Sequence, residues 1–182
     1  MHALLAPLRP QRLGPESIRE VVFGVEDGVV QNMALIAGMV GAALSGSVIV
    51  LAGSINAIAG VLSMSMGTYL SSQAERDALA GNGTATAVQR SPIRDAAVMA
   101  GAYAFGAIVP ILPFAFLSRT LAVTVAILLT ALTLFSLGVL KAAVSEQPRV
   151  RSGVQLLVLA SAAGLAGYLI GIAAQAVFGI EV

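Results

Sequence analysis

Long runs of apolar residues, separated by short polar segments, dominate the pattern of hydrophobic and polar positions along the chain. A helix needs about 20 residues to cross a bilayer, because each residue adds about 1.5 Å against a hydrocarbon core about 30 Å thick. Three runs in the second half of the chain meet that length directly. They predict membrane spans over residues 96–117, 121–144 and 154–178.

The apolar stretch from Met33 to Met66 is too long for one crossing. The small polar group at residues 45–47 is the only turn signal within it, and it predicts two spans, over residues 22–44 and 48–70. Counting about 20 residues back from this turn places Glu26 and Asp27 inside the first span rather than before it. Carboxylates at that depth are costly, so Asp27 indicates a functional site, with Glu26 as the less favoured metal-binding candidate.

These five spans predict an all-α integral membrane protein with five transmembrane helices, folded as one membrane domain over residues 18–178. Residues 1–17 contain three prolines and no apolar segment of signal-peptide length. They are therefore predicted to form a mobile N-terminal arm rather than a cleavable signal.

Basic residues divide unequally between the two sides that five spans define. One side has only Arg119 among the ten Lys and Arg residues of the chain. The other side holds Arg9, Arg12, Arg19, Arg76, Arg90, Arg94, Lys141, Arg149 and Arg151. Because Lys and Arg accumulate in cytoplasmic loops, this distribution predicts a cytoplasmic N-terminus and a C-terminus outside.

The amino-acid composition excludes several classes of functional site. Hydrophobic residues make up 58% of the chain and charged residues only 10%, and the net charge of +1 gives no indication of a nucleic-acid partner. The chain has no Cys and its only His is His2, which argues against thiol nucleophiles, Ser-His-Asp triads and Cys or His metal clusters. We therefore predict neither an enzyme nor a permanently bound cofactor. The preference for Arg, Ala and Gly favours a bacterial source, and with it the plasma membrane.

The first span carries a line of carboxylates. Glu20 and Asp27 are seven residues apart and nearly share a helix face. Beside them runs a ladder of small residues at a spacing of four, which predicts a close helix–helix seam. The ladder consists of Ala34, Gly38, Ala42 and Gly46. Alternatively, Glu20 and Glu26 lie among the headgroups and Asp27 only caps a broken helix.

The second span presents one polar and small-residue face. It consists of Asn56, Gly60, Ser63, Met64 and Gly67. The first two spans run in opposite directions, and Met64 and Asp27 lie about 12 Å and about 8 Å from the cytoplasmic ends of their spans. A carboxylate with a thioether suits Fe²⁺ or Mn²⁺, with some tolerance of softer ions. Alternatively, Met64 only fills space in the core, as methionine often does.

Three segments together are similar to the vacuolar iron transporter family. Residues 18–30 include Glu20, Glu26 and Asp27, residues 62–71 read Leu-Ser-Met-Ser-Met-Gly-Thr-Tyr-Leu-Ser, and residues 109–114 read Val-Pro-Ile-Leu-Pro-Phe. They resemble that family's first-helix sequence, its second-helix signature and its third-helix proline motif. The resemblance extends from about residue 18 to residue 171 and keeps the three motifs in order.

The resemblance implies a homodimer with a metal path between helices 1 and 2 of each subunit, which exports Fe²⁺, and often Mn²⁺, from the cytosol in exchange for protons. We expect the small-residue ladder to support pairing of the two copies through these helices. The resemblance assigns metal ligation to Asp27 and Met64, and an acidic position one heptad earlier to Glu20. The family's second-helix glutamate is replaced by Asn56, whose carbonyl can ligate a metal but cannot carry a proton.

The loop after the second span contains only Glu75 and Asp77 as acids. It therefore resembles the short, nodulin-like branch of the family, which lacks the carboxylate-rich insert. Without that insert, we expect metal capture at the membrane mouth, where Glu20 is the best candidate.

Two other classes of function compete with metal export. A structural or regulatory membrane protein that keeps the fold without transport is favoured by Asn56. An intramembrane enzyme is a weaker alternative, because the chain offers no Cys, no usable His and a single Lys.

Overall fold

The computed structural model describes residues 15–81, 91–145 and 148–179. These residues form five helices and contain no strand. The helices are α1 (Pro15–Gly41), α2 (Gly46–Gly81), α3 (Pro92–Phe116), α4 (Arg119–Ser145) and α5 (Arg149–Phe178). Each is long and apolar enough to cross a bilayer, which confirms the predicted five-helix membrane fold. Most of the predicted N-terminal arm, residues 1–14, and residues 82–90 of the second loop lie outside the described residues.

The second helix is longer than its predicted span. It continues beyond residue 70 to Gly81, so the first part of the predicted cytoplasmic loop is helical instead. The reason is composition, since residues 73–80 read Gln-Ala-Glu-Arg-Asp-Ala-Leu-Ala and are mostly strong helix formers. The Ser72 hydroxyl on this extension donates a 3.0 Å hydrogen bond to the Asp95 carboxylate in the first turn of α3, and both side chains are buried.

Helix α1 lies at the centre of the fold and packs closely against α3. Its glycines make the approach possible. A Cβ atom at Gly24 would lie 2.8 Å from the Ala102 Cβ, and one at Gly28 would lie 2.9 Å from the backbone nitrogen of Ala107. These separations are too short for real side chains, so the two backbones touch directly. The order of the contacts shows that α1 and α3 run in the same direction.

The part of the small-residue ladder from Ala34 to Ala42 packs against α5, whereas Gly46 begins α2 and lies against Phe114 of α3. A Cβ atom at Gly38 would lie 3.1 Å from the Gly167 carbonyl oxygen, and one at Gly171 would lie 2.9 Å from the Ala42 nitrogen. The expectation that this ladder supports pairing of two copies is wrong, because α5 of the same chain occupies it. The spacing correctly predicts a close seam, but it does not specify the partner helix. The homodimer itself stays a prediction.

The turn between α1 and α2 closes the first helix with an αL cap. Ala43 adopts a φ of 60°, and the Leu44 and Ala43 amides donate to the carbonyls of Met39 and Val40 at 3.0 Å. This is the Schellman pattern, which glycine usually supplies. The Arg119 guanidinium at the start of α4 also donates to the Val40 carbonyl oxygen, at 3.0 Å. The positive charge therefore lies at the negative end of the α1 dipole.

Helix α2 is peripheral by contrast. It packs mainly along α3, and its outer face carries a row of exposed apolar side chains. The row includes Leu51, Ile55, Ile58, Leu62 and Met66, each at least 60% exposed. Such a face is stable only against lipid or another protein surface.

Candidate metal site

The three acids predicted on α1 are all half-buried, but they differ in their surroundings. Asp27 belongs to a row at a spacing of four that other helices of the chain leave uncovered. Phe23 in this row is 51% exposed, and Arg19 and Gln31 are exposed as well. The Asp27 carboxylate is therefore at the edge of an open face, where an ion can approach it.

Glu26 lies beside a cation of another helix. Lys141 of α4 is close enough to interact electrostatically with the Glu26 carboxylate. This attraction to a nearby cation gives Glu26 a structural reason to be within the membrane domain. This environment favours Asp27 over Glu26 as the metal-binding acid.

Helix α2 meets the other helices through the first part of its predicted polar face, at Asn56 and Gly60, whereas Ser63 and Gly67 of the same face are exposed. The Asn56 amide nitrogen donates a 3.2 Å hydrogen bond to the Asn32 side-chain oxygen on α1. One turn further along α2, Gly60 lies against Tyr103 of α3, where a Cβ atom would collide with the phenol. The Tyr103 hydroxyl in turn donates a hydrogen bond to Gln31 of α1. Three helices therefore share one layer of polar side chains.

The polar layer is a reference point for comparing the depths of Asp27 and Met64 along their helices. Along α1, Asp27 lies five residues from Asn32, or about 7.5 Å of helical rise. Along the antiparallel α2, Met64 lies eight residues from Asn56 in the same direction, or about 12 Å. Asp27 and Met64 thus come within about 5 Å of the same depth, on one side of the polar layer. That they ligate the same ion stays a prediction.

The candidate ligands do not form a conventional acidic cluster. Within the described ranges, no group of three or more His, Cys, Asp or Glu side chains could hold a metal ion. A metal site here would combine the Asp27 carboxylate with a thioether, amide oxygens or groups of a second copy. Glu20 lies nearly two turns before Asp27 on α1 and is half-buried. Its predicted role in metal capture stays untested.

The sequence analysis did not identify three residues of the polar layer. Gln31 and Asn32 are adjacent polar residues within an apolar span, which was a usable signal, because buried amides in membrane helices require partners. Tyr103 carried no such signal, since an aromatic residue on a membrane helix faces lipid or core equally well. Its position follows from Gly60, which provides the space for its ring.

Comparisons with known proteins identify the family to which the sequence is similar. The sequence model of the VIT family matches residues 18–85 and 80–172. "Vacuolar iron transporter homolog 2" of Arabidopsis thaliana is 32% identical over 150 residues, which cover 77% of this chain and 75% of the relative. "Vacuolar iron transporter 1" of Arabidopsis thaliana is 40% identical over 62 residues, 34% of this chain and 25% of the relative.

Relatives in other organisms match over a similarly short length. "Vacuolar iron transporter" of Toxoplasma gondii (strain ATCC 50861 / VEG) is 45% identical over 60 residues, 33% of this chain and 20% of the relative. Matches to these longer transporters thus span a quarter or less of their length, whereas the match to the Arabidopsis homolog 2 spans three quarters.

Proposed function

The chain belongs to the VIT family, and on that premise we propose that it transports divalent metal, Fe²⁺ or Mn²⁺, out of the cytosol in exchange for protons. The relatives named above are called vacuolar iron transporters, which supports metal transport and iron as the cargo. The membrane fold supports the same class of function, because it has five helices able to cross the bilayer. If the source is bacterial, the membrane is the plasma membrane.

One observation carries the proposal for this chain. Asp27 lies half-buried within a membrane helix, on an uncovered face and one turn from a layer of polar side chains. An ionised carboxylate offsets part of the cost of dehydrating a divalent cation, and neighbouring amide oxygens are ligands of the same hard class. Met64 adds a soft ligand near the same depth, which favours Fe²⁺ over ions that require oxygen alone.

A homodimer would complete this site. The open row of α1 that includes Phe23 and Asp27, and the exposed apolar face of α2, are both uncovered in a single chain. A second copy placed against α1 and α2 would enclose Asp27 and exclude lipid from the ion. We therefore retain the proposed dimer through these helices, supported now by the uncovered faces rather than by the small-residue ladder.

The alternative function is a non-transporting membrane protein with the same fold. Asn56 favours it, because this side chain is engaged with Asn32 and cannot exchange a proton. Asp27 argues against it, since a carboxylate without a transport role would be costly on an open face of a membrane helix.

Metal flux into lipid vesicles tests the proposal. The purified protein is reconstituted into vesicles, and Fe²⁺ or Mn²⁺ uptake is followed for wild type and for Asp27→Asn. We expect Asp27→Asn to abolish uptake, because it removes the charge that compensates the metal. Asp77→Asn is the matched control, since it makes the same chemical change on the exposed extension of α2 and should leave uptake unchanged.

Two results would contradict the proposal. Absence of metal uptake by wild type, with the protein folded and correctly inserted, would favour the non-transporting alternative. Uptake by Asp27→Asn at the wild-type rate would show that metal passes without this carboxylate. Loss of uptake in both Asp27→Asn and Asp77→Asn would indicate damage to the protein rather than to a metal site.

A further inference from the structure

A groove lies between α1, α4 and α5 at the surface of the helix bundle. It encloses about 360 Å³ and is lined mainly by apolar side chains. Ile127 and Leu165 in its lining are 49% and 59% exposed, so the groove opens to the surface that faces lipid. Gly164 lines it as well, and a Cβ atom there would meet no atom within 4 Å. The three helices therefore leave room for another molecule along this surface.

The groove has about the length of one bilayer leaflet. On α4 its lining extends from Val123 to Leu134, and on α5 from Leu157 to Tyr168. Each stretch corresponds to about 16 Å of helical rise, which is about half of a hydrocarbon core about 30 Å thick. The hydroxyl oxygen of Thr130 in the lining is buried, so it is not accessible from the groove. A hydrocarbon chain matches these dimensions and this apolar lining.

One end of the groove lies at the end of α1, next to the α1–α2 turn. Val40 in the lining is adjacent to Gly41, the last residue of α1, and a Cβ atom at Gly41 would lie 3.1 Å from the Tyr168 ring. Tyr168 is 42% exposed, and tyrosine is enriched at membrane–water interfaces, where its hydroxyl can reach polar groups. The groove thus extends from the headgroup level to about the bilayer midplane.

A cation lies at this headgroup end of the groove. The Arg119 guanidinium donates its 3.0 Å hydrogen bond to the carbonyl oxygen of Val40, which lines the groove. A guanidinium has five N–H groups, and Arg119 is exposed, so it can also donate to a phosphate. Among the ten Lys and Arg residues of the chain, it is the only one predicted on this side of the membrane. This end of the groove therefore suits an anionic headgroup.

We propose that the groove binds one acyl chain of an anionic phospholipid whose phosphate contacts Arg119. The chain follows α4 and α5 to about the bilayer midplane and fills the space beside Gly164. A helix of a second copy fits less well, because a helix about 10 Å across and 16 Å long occupies about 1,200 Å³, more than the groove encloses. This inference rests on the membrane fold and is independent of the proposed transport function.

Lipid binding to the purified protein in a neutral detergent tests the proposal. Native mass spectrometry measures the affinities for phosphatidylglycerol and for diacylglycerol with the same acyl chains, which lacks the phosphate. We expect wild type to bind one phosphatidylglycerol about tenfold more tightly than diacylglycerol, as one charge-assisted hydrogen bond supports. Arg119→Gln should remove this preference, whereas Arg119→Lys, which keeps the positive charge, should retain most of it.

A second substitution tests the position of the acyl chain. Gly164→Leu places a side chain in the open space of the groove. It should weaken the binding of both lipids by about tenfold, the effect of displacing about two buried methylene groups. Gly67→Leu is the matched control, because it makes the same change on α2, where a Cβ atom also meets no atom within 4 Å. Its lipid binding should equal that of wild type.

Several results would overturn the lipid site. Equal affinities of wild type for the two lipids would exclude recognition of the phosphate, and unchanged binding by Gly164→Leu would place the chain elsewhere. Equal losses in Gly164→Leu and Gly67→Leu would indicate a general effect on the protein and also overturn the site. Thermal unfolding without lipid verifies that each variant is folded.

The second copy is tested separately as an occupant of the groove. The chain has no native cysteine, so Gly164→Cys introduces a single thiol. A disulfide between two copies in lipid vesicles would show that this face is covered by another chain and would overturn the lipid site. Absence of that disulfide, together with the expected lipid affinities, supports the site. Both measurements need no metal, so their outcome does not depend on whether the protein transports.

Discussion

Helices α1 and α2 carry the candidate metal ligands, yet the fold holds them by different kinds of contact. Glycines of α1 bring its backbone against the backbones of α3 and α5, as at Gly28 and Gly38. Helix α2 meets α3 through side chains, with Ile111 against Gly53 and Tyr103 against Gly60. Backbone seams permit little sliding, whereas side-chain contacts can separate and reform. From this comparison we expect α1, which carries Asp27, to be held more rigidly than α2, which carries Met64.

The largest loss of stability should come from a substitution that disrupts the backbone contact between α1 and α3. Gly28→Leu forces a side chain against the Tyr103 carbonyl and the Ala107 amide, so we expect loss of at least about 3 kcal/mol of stability or failure to fold. Gly67→Leu on α2 is the control, because a Cβ atom there meets no atom within 4 Å. Thermal unfolding in detergent measures both. Equal destabilisation by the two variants would contradict the expected difference in rigidity between α1 and α2.

A smaller effect should follow from changing the ligand on α2. Met64→Leu removes the thioether at nearly constant volume, so we expect weaker Fe²⁺ flux and a relative shift towards Mn²⁺. Met66→Leu is the matched control, since Met66 is 66% exposed on the outer face of the same helix. Competition between the two metals in vesicles measures the shift. The same change in selectivity for both variants would remove Met64 from the site.

The sequence predicted most of the fold because hydrocarbon imposes simple rules on length and composition. Five spans followed from apolar runs and one polar turn signal, and the small-residue ladder revealed a close seam. The ladder could not identify its partner, since Gly167 and Gly171 of α5 and the helices of a second copy offer equally small surfaces. The end of α2 at Gly81 was missed, because outside the bilayer helical propensity replaces hydropathy as the signal.

The candidate site was predicted less completely than the fold. Asp27, Asn56 and Met64 stand out because polar or sulfur-containing residues are conspicuous in apolar helices. Their neighbours depend on the rotation of each helix about its axis, which no single sequence specifies. Tyr103 illustrates the limit, since its hydroxyl joins the layer only through the space at Gly60 and the position of Gln31.

The dependence of metal flux on external pH should be modest in wild type and stronger in Asn56→Glu. With Asn56 uncharged, Asp27 is left as the acid near the layer able to alternate between metal and proton, so flux should fall as external pH rises. Asn56→Glu should keep flux and change this dependence. When protonated, the introduced carboxyl group can donate to Asn32, whereas an ionised carboxylate at this position cannot and also repels Asp27.

Vesicles under imposed pH gradients measure this effect. Wild type and Asn56→Glu are compared at equal metal concentration, and Asn56→Gln is the control that keeps an uncharged amide at the longer length. Wild-type flux that ignores the gradient would identify a facilitator rather than an antiporter. Identical pH profiles for Asn56→Glu and Asn56→Gln would show that position 56 has no access to protons.

The smallest change in stability is expected from a substitution in the turn that joins α1 to α2. Ala43 has the αL conformation at a φ of 60°, which costs an L-residue with a Cβ atom about 1 kcal/mol and costs glycine little. Ala43→Gly should therefore stabilise the protein by up to about 1 kcal/mol, less the entropy of the freer unfolded chain. Ala78→Gly, at an exposed position within helix α2, should instead destabilise it by about 0.5–1 kcal/mol. Thermal unfolding measures both, and metal flux should be unchanged by Ala43→Gly, because the turn sets the end of α1 and leaves the contacts of α2 with Tyr103 in place. A lower unfolding temperature for Ala43→Gly would show that the cap is not strained.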